Sequence, residues 1–385
     1  MQPHPFRRII ALALLTASAT GSMLLARPAV SSPAEAQIGA ARARIASGRP
    51  DVKTYQALAI GLTRRARETG DVSLYSEASE ALSEASSREP GNPITQRISA
   101  WVALGRHEFA KTYTMTRRYA RKHPDDAWNF SVMGDALMEL GRPRRAEKAY
   151  QAMVDLRPGP SSYCRVAYLR EARGDLEGAA ELLEMSLQST PLSETEDRAW
   201  LLVQLGHLWQ EQGDLAGAEE RLRQALSLFP GYHYALAALA AIALETQRPA
   251  EAALLARQAI DAAPYAERYL LLADSLRALG REEEARRAEA RFEGIALANR
   301  DLPDNENHDL VLFYLERRPD PPRALAIARH EAAIREDVPT MDRLAWALHR
   351  NGRTGKARRL LKRVAGTGTR DPLVLSHLRL IGESR

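Results

Sequence analysis

Apolar positions along this chain fall at helical spacing, and the clearest stretch runs from Trp200 to Gly231. Leu202, Leu205, Gly206 and Trp209 stand at i, i+3, i+4 and i+7, one face of a 3.6-residue helix. Gly213 and Asp214 then predict a stop and a new start: glycine adopts the left-handed backbone that ends a helix, and an aspartate accepts from the free amides that begin one. A second face follows in Leu215, Ala218, Leu222, Ala225 and Leu226, and Pro230-Gly231 closes it. Two short helices cannot bury both faces by themselves, so such pairs must stack on neighbours of the same kind.

The rest of the chain reads as copies of that pair. A small residue midway along each second helix, where two helices approach closely, recurs at Ala78, Ala110, Ala146, Ala179, Ala218, Ala252, Ala285, Ala324 and Ala357. The steps are 32, 36, 33, 39, 34, 33, 39 and 33, with insertions at Leu192 to Glu196 and Asn299 to Asn307 in the two long ones. A second mark is the small residue of each first helix: Gly134, Ala167, Gly206, Ala240, Ala273 and Ala345. A closing proline recurs at Pro90, Pro124, Pro158, Pro191, Pro230 and Pro264 and then fails. About nine helix pairs are predicted over 51–370, after a helical lead-in at 37–50 and before a capping helix within 371–385.

Leu202, Leu205-Gly206, Trp209, Gly213, Ala218, Ala225 and Pro230 together resemble the tetratricopeptide repeat. The run from His123 onward is similar to bacterial exported proteins of this type without a defined ligand. The resemblance implies an all-α fold, a right-handed α-solenoid or superhelix of antiparallel helix pairs. It also implies that the first helix of each repeat lines a concave groove. Carrying the groove positions over points to Trp128 and Asp135, then Tyr168, then Trp200 and His207, and beyond them Tyr234, Asp274 and Trp346. A protein or peptide partner held there is the expectation, because Trp and Tyr offer wide contact with little entropy to lose.

Composition and charge add a leader and two basic segments. Arg7-Arg8 precede an apolar run, and Ala34-Glu35-Ala36 offers a small-x-small cleavage site, so residues 1–36 read as a signal peptide. The competing reading is an inner-membrane anchor, since Ile9 to Ala26 is 18 residues, about the minimum to span a bilayer. The expected location is exported, periplasmic or extracellular. Cys164 stands alone, so no internal disulfide framework exists. Losing residues 1–36 lowers the net charge from +5 to +3, which puts any electrostatic message in its distribution. Residues 97–123 carry a net +6, with Arg117, Arg118, Arg121 and Lys122 grouped together. Residues 341–385 carry +8, with Arg358, Arg359, Lys362 and Arg363 on one helix. These segments offer a second partner class, an anionic polymer or an anionic membrane surface.

Catalytic motifs do not assemble. His330-Glu331 lacks the second histidine of a zinc-protease helix, and Gly366 to Thr369 lacks the lysine of a phosphate loop. No two of the nine histidines stand at i, i+4. Asn129-Phe130-Ser131 matches a glycosylation sequon inside a predicted helix, where chance explains it better. No catalytic residue, cofactor or metal is expected. Nucleic acid is not expected either, because no basic module interleaved with aromatics is present.

Overall fold

The structure is a computed structural model that describes residues 32–302 and 305–383. Twenty α-helices and one π-helical segment make up its regular structure, with no strand among the described residues. In chain order they are α1 (Pro33–Ala46), α2 (Val52–Thr69), α3 (Ser73–Arg88), α4 (Pro93–Gly105), α5 (Phe109–Ala120), α6 (Ala127–Glu139) and α7 (Pro143–Leu156). There follow α8 (Pro160–Ala172), α9 (Leu176–Ser189), α10 (Thr195–Gln212), α11 (Leu215–Leu228), α12 (His233–Glu245), α13 (Pro249–Ala262) and α14 (Glu267–Ala278). The last are α15 (Glu282–Asn299), α16 (Asn307–Leu312) with a π-helical extension Phe313–Arg317, α17 (Pro321–Glu331), α18 (Val338–Arg350), α19 (Thr354–Ala365) and α20 (Pro372–Glu383). After α1 the helices run as nine consecutive pairs, the all-α solenoid pattern, and α20 follows the last pair.

Local chemistry sets the helix ends where the sequence places them. Asp51, Asp126 and Asp214 cap α2, α6 and α11, accepting from Thr54, Asn129 and Gly217 amides at 2.8, 3.1 and 2.9 Å. Gly213 ends α10 in the left-handed region at φ +88°. Ala34-Glu35-Ala36, expected as a cleavage site, stands in the first turn of α1, with Ala34 buried. The rest of the expected leader, residues 1–31, lies outside the described residues. No described helix is long and apolar enough to cross a membrane.

Eight alanines of the ladder, from Ala78 and Ala146 to Ala357, are fully buried. Ala110 is not: it is exposed, and Thr112 takes its place at 0% exposure. The corrected mark lies 34 residues from both Ala78 and Ala146, so the 32- and 36-residue steps came from choosing the wrong small residue. The insertion at Leu192 to Glu196 becomes an added turn at the start of α10, which runs 18 residues where α6, α8 and α12 run 13.

The chain divides into two compact units. The first comprises residues up to Glu108 together with Ser186–Phe292. In it α1 packs on α2, α2 on α3, α10 on α11, and α12 on α13. The second comprises Phe109–Met185 and Glu293–Arg385, with α6 on α7 and α18 on α19. Each unit therefore joins two stretches far apart in sequence, and each uses the same device. In the first, Gly70 lies under the Tyr265 ring, so that a Cβ there would sit 2.8 Å from the phenol oxygen. In the second, Gly141 abuts Glu336, whose amide donates to the Glu139 carbonyl at 3.1 Å. Gly174 abuts Arg370, whose amide donates to the Ala172 carbonyl at 2.9 Å. The glycine turns meet residues 195, 195 and 196 positions further on.

Candidate interaction surface

In the first unit α10 presents the best-formed repeat. Leu202, Leu205 and Leu208 are buried, while Trp200, His207 and Glu211 remain half-buried at i, i+7 and i+11. His207 Nε2 lies 3.6 Å from Glu211 Oε1. Asp274, on α14, is half-buried and 3.4 Å from Arg277. Tyr234 differs from these: it is 7% exposed and its ring lies tilted against that of His233, centroids 4.0 Å apart. Burial, the leading cause, pushes its phenol up to about 12. Its side chain serves the interior of the unit.

Beside Tyr234 lies a buried polar network that sequence reasoning missed. Arg67 on α2 forms ion pairs with Glu196 and Asp197 in the added turn of α10, and Arg64 pairs with Glu194. Tyr232 donates to Glu196 at 2.7 Å. Burial lifts the Glu196 carboxyl above its usual range against the pull of Arg67. His233, 1% exposed, lies 2.6 Å from Arg268 through Nδ1 and 3.3 Å from the Arg67 carbonyl through Nε2. A guanidinium can only donate, so Nδ1 accepts and Nε2 carries the proton. Burial first, then the charge of Arg268, hold its pKa well below the ordinary value. The opposed runs Arg64-Arg65-Arg67 and Glu194-Glu196-Asp197 were the available signal, but periodicity does not say that they meet.

In the second unit Trp128 and Tyr168 are half-buried on α6 and α8. Asp135 is buried and fully engaged: Arg165 donates through Nε and Nη2 at 2.9 and 2.7 Å, and Tyr150 Oη donates at 2.9 Å. It therefore ties α6, α7 and α8 together. Trp346 is half-buried with its ring stacked on His377 at 4.3 Å, and His377 Nδ1 meets both oxygens of buried Asp342 at 2.9 and 3.0 Å. Asn129 of the sequon is buried and donates to the Thr116 carbonyl at 3.1 Å. The four aromatic and acidic positions expected here thus divide into Trp128 and Tyr168, which keep a partly open face, and Asp135 and Trp346, which hold neighbouring helices.

Carboxylates crowd where Gly141 meets Glu336. Arg335 lies 2.5 Å from Glu331, 3.6 Å from Asp337 and 3.8 Å from Glu139. Three acids share one guanidinium, and the Glu139 carboxyl is pushed up to about 8 by burial first and by Asp337 next. Burial also raises Asp337.

The basic residues lie at the surface of the second unit. Arg117, Arg118, Arg121 and Lys122 are exposed, as are Arg359, Lys362 and Arg363. Arg358 is half-buried and donates to the Ile381 carbonyl at 3.0 Å, which commits it to α20.

The small residues of the first helices explain the spacing seen throughout. Gly134 lies beneath the Tyr150 ring, closer than a side chain allows, and Gly206 beneath Leu222, where an added carbon would be tight. The Tetratricopeptide repeat family matches residues 132–194 and 203–267, the segments built on those two glycines. The chain carries tetratricopeptide repeats. A TPR repeat-containing protein of Synechococcus elongatus is 28% identical over 152 residues, which are 35% of this chain and 37% of that relative. The chain aligns with little more than a third of that relative's length. The human IFIT1 dimer with PPP-AAAA aligns over 86% of this chain and 77% of its own, at a TM-score of 0.55 and 17% identity. A chain of the APC/C hetero-tetramer Cut9–Hcn1 aligns over 77% of this chain and 55% of its own, at 0.53 and 17%. At such identity the two structures speak for the tetratricopeptide fold alone.

Proposed function

We propose that this chain is a non-catalytic scaffold of the cell envelope that holds a segment of a partner protein against the aromatic residues of its first helices. The observation that carries the reading is the shared setting of Trp128 and Trp200. Each stands six residues before the packing glycine of its repeat, Gly134 or Gly206, and each stays half-buried while Val132 and Leu202 beside it are buried. A large ring left partly open at the same place in two repeats is the kind of contact that dominates binding when a partner covers it. The leader at residues 1–36 supports an exported protein, and its cleavage is read by N-terminal sequencing of protein recovered from the envelope fraction.

The test replaces Trp128 and Trp200 together by Ala and measures capture of crosslinked partners from envelope extracts. Helicity stays at the wild-type level, and capture falls by at least about 30-fold, the loss of one hot-spot contact of about 2 kcal/mol. Capture at the wild-type level by a folded double variant overturns the reading.

A further inference from the structure

We infer that the exposed face of α19 docks an acidic polypeptide segment whose carboxylates recur along one face of a helix. Between Asp342 and Asp371 the chain holds no acidic residue, while Arg343, Arg350, Arg353, Lys356, Arg358, Arg359, Lys362, Arg363 and Arg370 all fall within it. Arg353, Lys356, Arg359, Lys362 and Arg363 are exposed, and among the described residues none of them meets a carboxylate. Some arginines on other helices are matched in the chain, as Arg42 is by Glu77, Arg173 by Glu147, Arg277 by Glu289 and Arg286 by Glu283. Arg117 and Arg118 on α5 are exposed and meet no carboxylate among the described residues either, but as sequence neighbours they do not stand in one stripe.

The geometry selects among anionic partners. Lys356, Arg359 and Arg363 stand at i, i+3 and i+7, one stripe along the helix, which complements an acidic helix of the same spacing. The opposite side of α19, Ala357, Leu360, Leu361 and Val364, is buried in the core, so no apolar face is left to enter a bilayer. Residues 347–370 contain no Trp, Tyr or Phe, which removes the stacking platform that single-stranded nucleic acid or a sugar ring uses. Arginine forks that grip carboxylates two-pronged remain, and a carboxylate-bearing helix is the occupant they suit.

This inference rests on the scaffold reading and names the chemistry of one partner surface. The two fail separately, because Trp128 and Trp200 test that reading without touching α19. The probe is a capped helical peptide with Glu at i, i+3 and i+7, compared with a peptide of identical composition whose Glu are scattered around the helix. Fluorescence anisotropy with the full chain gives at least about tenfold tighter binding of the aligned peptide, weakening steeply with salt. Arg359→Glu with Arg363→Glu abolishes the preference, and the neutral pair Arg359→Gln with Arg363→Gln does so even where reversal disturbs folding. Arg117→Glu with Arg118→Glu, an equal change of charge on α5, leaves it intact. Equal affinity for the two peptides overturns the inference, as does unaltered binding by the α19 variants. So does tighter binding of phosphatidylserine vesicles or oligothymidylate, or self-association of the chain at low salt that the α19 variants abolish.

Discussion

The contact between Gly141 and Glu336 gives a substitution whose effect can be worked out in advance. Gly141 sits in the left-handed region at φ +63°, and an added Cβ would lie against the Glu336 carbonyl oxygen, 3.0 Å from its carbon and 3.1 Å from its Cβ. The obstacle is backbone, which cannot swing aside as a side-chain tip can. Gly141→Ala therefore costs about 1 kcal/mol for the left-handed alanine and about 1 kcal/mol for the displaced Glu336–Glu139 bond. Loosening of Arg335 beside Glu139 adds about 1 kcal/mol, since both side chains are mostly buried. The total is about 3 kcal/mol. Gly352→Ala is the matched control in the same unit: its φ is +71°, nothing lies within 4 Å of the added carbon, and only the first contribution, about 1 kcal/mol, remains. Long repeat arrays do not unfold in a single step, so the decisive readout is hydrogen exchange at the Glu336 amide. Protection there falls by roughly 30-fold more in Gly141→Ala than in Gly352→Ala, the equivalent of about 2 kcal/mol. Equal protection in the two variants refutes the reasoning.

Further consequences concern the buried polar groups. His233 has a depressed pKa, so the stability it contributes is present above the unfolded value of 6.5 and is lost as pH falls below it. The advantage in urea midpoint of the wild type over His233→Gln should shrink between pH 7 and pH 5; a constant difference counts against the assignment. Glu139 behaves oppositely, since the folded chain keeps its proton up to about 8 and an unfolded glutamate releases it near 4.5. Stability therefore declines as pH rises across that window, by at most about 1.4 kcal/mol per pH unit, and Glu139→Gln removes the decline; a variant as pH-sensitive as the wild type refutes it. Asp135→Ala leaves Arg165 and Tyr150 without their shared acceptor and should cost about 2–4 kcal/mol, at the lower end of a buried pair because Arg165 keeps 24% exposure. Asp135→Asn, which still accepts from Tyr150, should cost less in the same thermal melts, and a loss under about 1 kcal/mol for the alanine would contradict the network.

What could be read beforehand was local. The Asp214 cap, the Gly213 stop and the 34-residue beat depend on a few neighbouring residues or on one apolar stripe, and periodicity carries them directly. The error at Ala110 came from admitting only Ala or Gly to the close approach: a threonine is small enough to fit it, and Thr112 occupies it fully buried. The candidate surface was legible only in part. Trp128, Tyr168 and Trp200 keep an open face, but Asp135 and Tyr234 occupy the same kind of position and are taken up, the first by Arg165 from α8 and the second by burial beside His233 on its own helix. Charge told less than pattern, because Glu194, Glu196 and Asp197 look like an ordinary acidic insertion until Arg64 and Arg67 are found against them.

The 195-residue separation of Gly70 from Tyr265 bears on how the protein is made. Neighbouring repeats can form as they leave the ribosome, since each leans on the one before it. The Gly70 turn cannot be covered then. At roughly 5–20 residues per second, about 10–40 s of synthesis separate it from the ring that will close over it. For about the first two-thirds of that interval, until Glu194 to Asp197 are made, Arg64 and Arg67 lack the carboxylates they pair with, and the nascent first unit presents cations and an open glycine turn to whatever chaperone waits at the exit.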